Sequence, residues 1–343
     1  MYEESTQPSW LLGPLQPLVD DPTVTDVLVN GAGGGVWADR GAGPERVAVE
    51  LGGESAVRAL AVRLAASAGR RLDEARPWVD ARLPAGVRLH AVVPPVSPAG
   101  THLSLRMLRP GRFDLTALVA AGSVPPTWTP LLRALVTARA AFLVTGGTGA
   151  GKTTLLAALL SLVPVRERLV LVEDVGELYP VHPHVVRLEA RHANVEGRGE
   201  VTLADLTRQA LRMRPDRLVV GECRGPEVRD LLAALNTGHA GGCATLHANA
   251  AAEVPARLEA LASTAGMPRT AVAAQAGAAF EAVLHVRREG GRRFLAELGV
   301  VDRSGSGALV VRRAALWGGV GEARPDHAGW SLLTERLGLT GPT

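Results

Sequence analysis

The chain has 343 residues, 47% of them apolar and 21% charged, enough for two packed cores and unlike a disordered polypeptide. Its net charge of +3 is too small to mark a nucleic-acid binder by itself, and 3% aromatic residues leave little to stack on bases. Two cysteines, Cys223 and Cys243, stand in no CxxC arrangement, which argues against a disulfide framework or a cysteine-bound zinc and reads as buried, reduced thiols of a cytoplasmic protein.

The N-terminus, MYEESTQPSW, is acidic and polar, unlike a secretory signal. Residues 1–108 read as a small α+β domain. TVTDVLVN (23–30) and VWAD (36–39) are strand candidates joined by GAGGG, and 54–69 carries apolar residues at helical spacing. GAGGG lies between two strands and opens no helix, so it is expected as a hairpin turn rather than a nucleotide loop. VDARLPAGVRLHAVV predicts two strands around Pro84-Ala85-Gly86, and THLSLRML continues the alternation. Three prolines and two glycines make 109–127 an expected linker. A helix over 129–139 and the strand AFLVT follow. Strands at 168–173, 184–188, 217–222 and 243–247 then alternate with helices at 202–213, 226–236 and 251–262, over a domain expected to span 128–302. Uniformly apolar strands between helices predict a parallel sheet covered on both faces. The richest apolar stretches, around 131–144 and 270–286, are broken by Arg, Gln or Glu, so no membrane span is expected. Residues 303–343 read as strands plus a loose tail.

Gly146-Gly147-Thr148-Gly149-Ala150-Gly151-Lys152-Thr153 fits G-x-x-x-x-G-K-[ST], after an apolar strand and before the helix formers KTTLLAALL. Lys152 is the sole lysine beside 36 arginines. Glycines let successive N–H groups curl toward phosphate oxygens, and the helix N-terminus adds positive potential. The ammonium must slip between two phosphates, where arginine's planar fork is too bulky. ATP is therefore expected on Gly146–Thr154, including Thr154, with Thr153 as a ligand of Mg²⁺. RLVLVEDVGEL puts Glu173, Asp174 and Glu177 just past a strand, RLVVGE ends on Glu222, and His239 and His247 flank a third strand. Singly these are solvated loop charges or structural histidines. Three polar strand ends beside one phosphate loop point to a catalytic site.

With these motifs in order, the sequence resembles the type II/type IV secretion and pilus-assembly ATPases, in particular the tight-adherence (Flp) and conjugal-transfer branch. The resemblance runs from about Gly13 to Asp302. It rests on VTDVLVNG, VDARLPAGVRLHAVVPP, EDVGEL, the segment from ARHANVEG to RLVVGECRG, and NTGHAGGCATLHAN. It implies an α/β RecA-like P-loop NTPase domain preceded by a smaller α+β domain that closes over the nucleotide. It makes Glu222 the residue that orients or deprotonates water, with Glu173 and Asp174 sharing the metal and His247, less surely His239, sensing the γ-phosphate. Arg88 and Arg106, with Arg82 beside them, would bring charge to the transferred phosphoryl group, a role Arg212 and Arg214 could also fill. A hexameric ring, peripheral to the cytoplasmic membrane through an inner-membrane platform protein and without specific nucleic acid, is implied as well. A short N-terminus and the lack of a four-cysteine zinc insert fit that branch, while Ala240 replaces a common acidic residue. A ring-shaped DNA translocase or helicase is the main alternative; a nucleotide-gated scaffold and a small-molecule kinase are weaker ones.

Overall fold

A computed structural model describes residues 11–83, 86–107, 113–191, 193 and 198–339. The chain divides into two compact units, parting chiefly between Arg109 and Pro110.

The first unit begins with α1 (Gln16–Asp20) and continues with β1 (Asp26–Asn30), α2 (Gly31–Gly34), β2 (Val36–Asp39), β3 (Pro44–Val47), α3 (Glu54–Ser67), β4 (Trp78–Leu83), β5 (Val87–Val92) and β6 (His102–Met107). Its strands form an antiparallel sheet in the order β3-β2-β1-β6-β5-β4. The glycine run indeed joins two antiparallel strands, but as a single helical turn; Gly31 sits at φ +63°, where a Cβ would come 2.8 Å from the Ala99 carbonyl. Val57, Leu60, Ala61 and Leu64 make one face of α3 and bury it on the sheet's alternate residues Val79, Ala81, Leu89, Leu103 and Leu105. Glu54 fastens the helix start by accepting from the Thr101 N–H and hydroxyl. The other face of the sheet is polar. There Arg82, Arg88 and Arg106 lie directly cross-strand, followed by Asp26 and Asp39. Like charges set opposite each other repel; Asp80 offsets the repulsion with a two-pronged bond to Arg88 (2.7 and 3.0 Å), and Asp26 with one to Arg106 (2.9 Å).

The second unit opens with α4 (Leu115–Ala120), α5 (Thr129–Thr137), β7 (Phe142–Thr145) and α6 (Lys152–Leu160). Next come β8 (Leu169–Glu173), β9 (Val185–Glu189), α7 (Leu203–Ala210), β10 (Arg217–Cys223), α8 (Glu227–Asn236), β11 (Cys243–Leu246) and α9 (Val254–Thr264). The unit ends with α10 (Arg269–Ala279), β12 (Ala282–Glu289), β13 (Arg292–Arg303), β14 (Leu309–Leu316), β15 (Arg324–Pro325) and α11 (His327–Arg336). Strand order is β15-β14-β13-β12-β7-β11-β10-β8-β9. The six strands from β12 to β9 are parallel, and β13–β15 are antiparallel, so the sheet is mixed rather than purely parallel. Both faces are covered: Phe142 and Val144 point into a core with α4, α5, α6 and α11, while Leu143 points into one with α7 to α10. Thr202 and Asp205 form a reciprocal capping box at α7.

Two expectations change here. Much of the expected linker is folded: Leu115, Leu118 and Val124 are buried in the second unit, and Asp114 caps α4 through the Ala117 N–H. Its Pro/Gly punctuation hides a six-residue helix, while 109–112 lie outside the described residues. The expected loose tail is also packed. Leu333 and Leu337 of the α11 segment enter the core, and Gly329 lies so close to the Arg313 carbonyl that a Cβ there would be 1.9 Å from it.

At the start of β10, Arg217 is 2% exposed. It donates to Glu167 (2.6 Å) and to the Val136 carbonyl (2.9 Å), and its guanidinium fills the space that a side chain at Gly241 would need.

Candidate active site

The phosphate loop hangs between β7 and α6. Gly146, Gly149 and Gly151 have φ of +151°, +69° and +98°, values that favour glycine. At Gly146 space forbids anything larger, because a Cβ would lie 2.4 Å from the Val286 carbonyl of β12. Gly151, left-handed, leads into α6 without a side-chain cap, so the first amides of the helix are open to an anion. Lys152 is 8% exposed and folds back under its loop, donating to the carbonyls of Gly146 (3.1 Å) and Gly147 (3.0 Å). Burial pulls its ammonium below the usual lysine range, and Glu222 is the strongest charge pulling it back. Ala150, Gly151 and Thr154 line a cavity of about 330 Å³ together with Phe113, Arg293 and Phe294.

Two of the expected catalytic groups converge on the lysine. Both ring nitrogens of His247, just beyond β11, lie 3.5 Å from Lys152 Nζ. The same ring faces Glu222 at the end of β10, its Nε2 forming a close ion-pair contact with Oε1 rather than an aligned hydrogen bond. Burial, reinforced by Lys152 and Arg224, lowers the His247 pKa, and Glu222 opposes that shift. The parallel register of β10, β11 and β7 makes this meeting possible, since the three strand ends open on one edge of the sheet.

Glu173 is placed differently. It is 2% exposed, beside a bare Gly221 whose Cβ would lie 2.8 Å from Glu173 Cγ. Oε1 accepts the amides of Glu177 and Leu178 at 2.8 Å each, and Oε2 faces Arg187 at 3.4 Å without an aligned bond. It thus orders the loop carrying Asp174 and Glu177, and Glu177 is among the charges felt by Lys152. Burial pushes its pKa up to about 7 against the opposing pull of the two amides and Arg187. The native protein then keeps a proton that the unfolded chain releases above about 4.5. Its share of stability is present at low pH and is lost as pH rises toward about 7, amounting to at most about 3 kcal/mol. Urea midpoints measured across that window should fall for wild type, and Glu173→Gln should flatten the fall.

Sequence reading overlooked four residues here. Arg224 bonds Glu222 and lies 3.9 Å from Asp174, tying two strand ends together; Glu227, 3% exposed, aims it by accepting the Arg224 and Gly225 amides. The family phrase GECRG contained the arginine, but no spacing rule marked it. Arg293 of β13 donates to the Gly149 carbonyl at 2.8 Å, a contact that depends on a hairpin no local pattern announces. Buried His285 bonds Thr145. His239, in contrast, bonds the Ala234 carbonyl at the end of α8, a helix-terminus role. Arg88 and Arg106 belong to the first unit, in the cross-strand row described above. Arg214 takes a left-handed conformation after α7.

A strand–glycine loop–helix with its lysine buried, beside a carboxylate and a histidine at neighbouring parallel strand ends, defines a RecA-like P-loop ATPase domain, here with an α+β domain before it. The chain belongs to the type II/IV secretion system protein family, whose model matches residues 11–281. A Mycobacterium tuberculosis protein named for conjugal transfer is 58% identical over 299 residues, 85% of each chain. The Bordetella pertussis type IV secretion system protein PtlH is 36% identical over 262 residues, covering 69% of this chain and 76% of its own. The fold is also similar to the Legionella pneumophila ATPase DotB, with a TM-score of 0.57 at 17% identity, over 91% of this chain and 82% of that one. The protein is accordingly a member of the secretion-system family that carries a complete phosphate loop. Among the described residues no helix is long and apolar enough to cross a membrane.

Proposed function

We propose that the chain works as a homohexameric motor, hydrolysing Mg-ATP to drive assembly of a tight-adherence pilus or a related secretion apparatus, docked from the cytoplasm on an inner-membrane platform protein. The observation that carries the catalytic part is the His247 ring set against both Lys152 and Glu222. Loop amides and Lys152 bind the β- and γ-phosphates, and the cavity at Thr154 is large enough for base and ribose. Glu222 orients water and takes its proton, while His247 couples that carboxylate to the lysine and so to the γ-phosphate. The donor set fits Mg²⁺. Thr153 and Asp174 offer hard oxygens, Glu173 acts from behind by ordering the Asp174 loop, and no cluster of three His, Cys, Asp or Glu among the described residues forms a dedicated cage. When bound, the ion would neutralise charge building on the phosphates. Arg88 and Arg106 supply further cationic charge during turnover, which a repeated ring makes available at each site.

Native mass spectrometry with Mg-ATP tests the assembly, and phosphate release tests the chemistry. Six copies, Mg²⁺-dependent turnover indifferent to single-stranded DNA, and a loss of about a hundredfold or more in Arg88→Ala are expected. A monomer under these conditions, or full activity of Arg88→Ala, would overturn the reading. Strongly salt-sensitive stimulation by single-stranded DNA would replace it with a translocase.

A further inference from the structure

β12 touches the phosphate loop and its surroundings at successive residues. Its register places His285 beside Thr145, the last residue before the loop, and both are buried, at 1% and 0% exposure. His285 Nδ1 lies 3.0 Å from Thr145 Oγ1. Between His285 and Val286 the pairing with β13 slips, an irregularity of the sort that re-aims side chains in a sheet. The next carbonyl, that of Val286, is the one that presses on Gly146. The His285 ring also feels the backbone of Asn249, two residues past His247, which favours its protonated form. Glu253 holds that segment by accepting the Asn249 amide (3.1 Å), as does Arg257 by donating to the His247 carbonyl (3.0 Å).

A neutral imidazole can accept a hydroxyl proton at one nitrogen while donating from the other, which neither a carboxylate nor an ammonium can do. Burial, aided by Arg287, pushes the His285 pKa down to about 4, so the ring is neutral near pH 7. In the interior, leaving the Thr145 hydroxyl or the ring nitrogen facing it without its partner is costly.

We propose that His285 is a positioning residue of the ATPase site, pinning the strand end beneath the phosphate loop and the loop bearing His247 to one register. It touches no reacting atom. Its effect is to hold His247 at its distance from Lys152, and misplacement of such a group by even an ångström slows chemistry far more than binding. Thr145 is its partner in this role, and the hydroxyl is the part that matters.

The test is steady-state ATP hydrolysis by Thr145→Val, His285→Leu, the double variant and His285→Gln, with rates expressed per competent site counted by binding of a labelled nucleotide. Thr145→Val keeps the volume and deletes only the hydroxyl, so it carries the test if His285→Leu does not fold. We expect kcat about tenfold lower in each single variant, KM changed less than about twofold, a double variant no slower than the slower single one, and recovery of most of kcat in His285→Gln. Unchanged kcat in folded Thr145→Val would overturn the proposal. A rise in KM at constant kcat would do the same, since it would make the pair a nucleotide-binding contact. Additive losses in the double variant would also count against it.

Discussion

Replacing Lys152 with alanine is expected to remove ATP turnover, with kcat/KM falling at least about a thousandfold, or ~4 kcal/mol of transition-state stabilisation. Lys152→Arg should recover little of it. The ammonium reaches its place by lying under the loop, 8% exposed and hydrogen-bonded to the carbonyls of Gly146 and Gly147 at 3.1 and 3.0 Å. A guanidinium entering the same space would present a rigid plane with more atoms than the niche holds. In a chain that otherwise uses arginine throughout, the substitution is a direct test of shape against charge. Phosphate release at saturating ATP, with nucleotide binding followed separately, is the measurement; Lys152→Arg at wild-type rate would show that charge alone suffices.

Glu222→Gln is expected to divide binding from chemistry. Gln keeps the shape and loses the proton acceptor, so hydrolysis should fall roughly a hundred- to ten-thousandfold while nucleotide affinity changes little. The variant also strips His247 and Arg224 of their shared anionic partner. Because Glu222 is the charge that props up the His247 pKa, the imidazole should titrate lower in the variant, a shift visible in its NMR pH titration. Slow turnover with an unaltered His247 titration would mean that the pair does not communicate.

The phosphate loop was legible because its chemistry is local: a lone lysine, glycines where the chain must bend, and a strand and helix on either side. Glu222 and His247 were legible as strand-end groups, since parallel strands deliver their ends to one edge. The state of Glu173 was not, because it depends on Gly221, which lies next to it only after β8 and β10 pair. Arg224 and Arg293 escaped for a related reason: in a chain with 36 arginines, no pattern separates one that bonds a strand-end carboxylate from one that faces solvent. The antiparallel extension β13–β14 and helix α11 were obscured by glycine-rich connections, although their buried residues are as apolar as any in the sheet. Burial of α4 went unseen because six residues are too few to show a period between prolines.

Arg217 begins the strand that carries Glu222 near its end, and Gly241 precedes the strand that leads to His247. One buried guanidinium therefore seats the start of the first strand against the turn that opens the second, held by Glu167 and the Val136 carbonyl, at the end of the sheet opposite the phosphate loop. A side chain at Gly241 would have to expel that guanidinium, so the approach of the two strand starts is set by a glycine's bareness as much as by the ladder between them. The meeting of Glu222 and His247 thus draws on close packing at the opposite end of the same two strands.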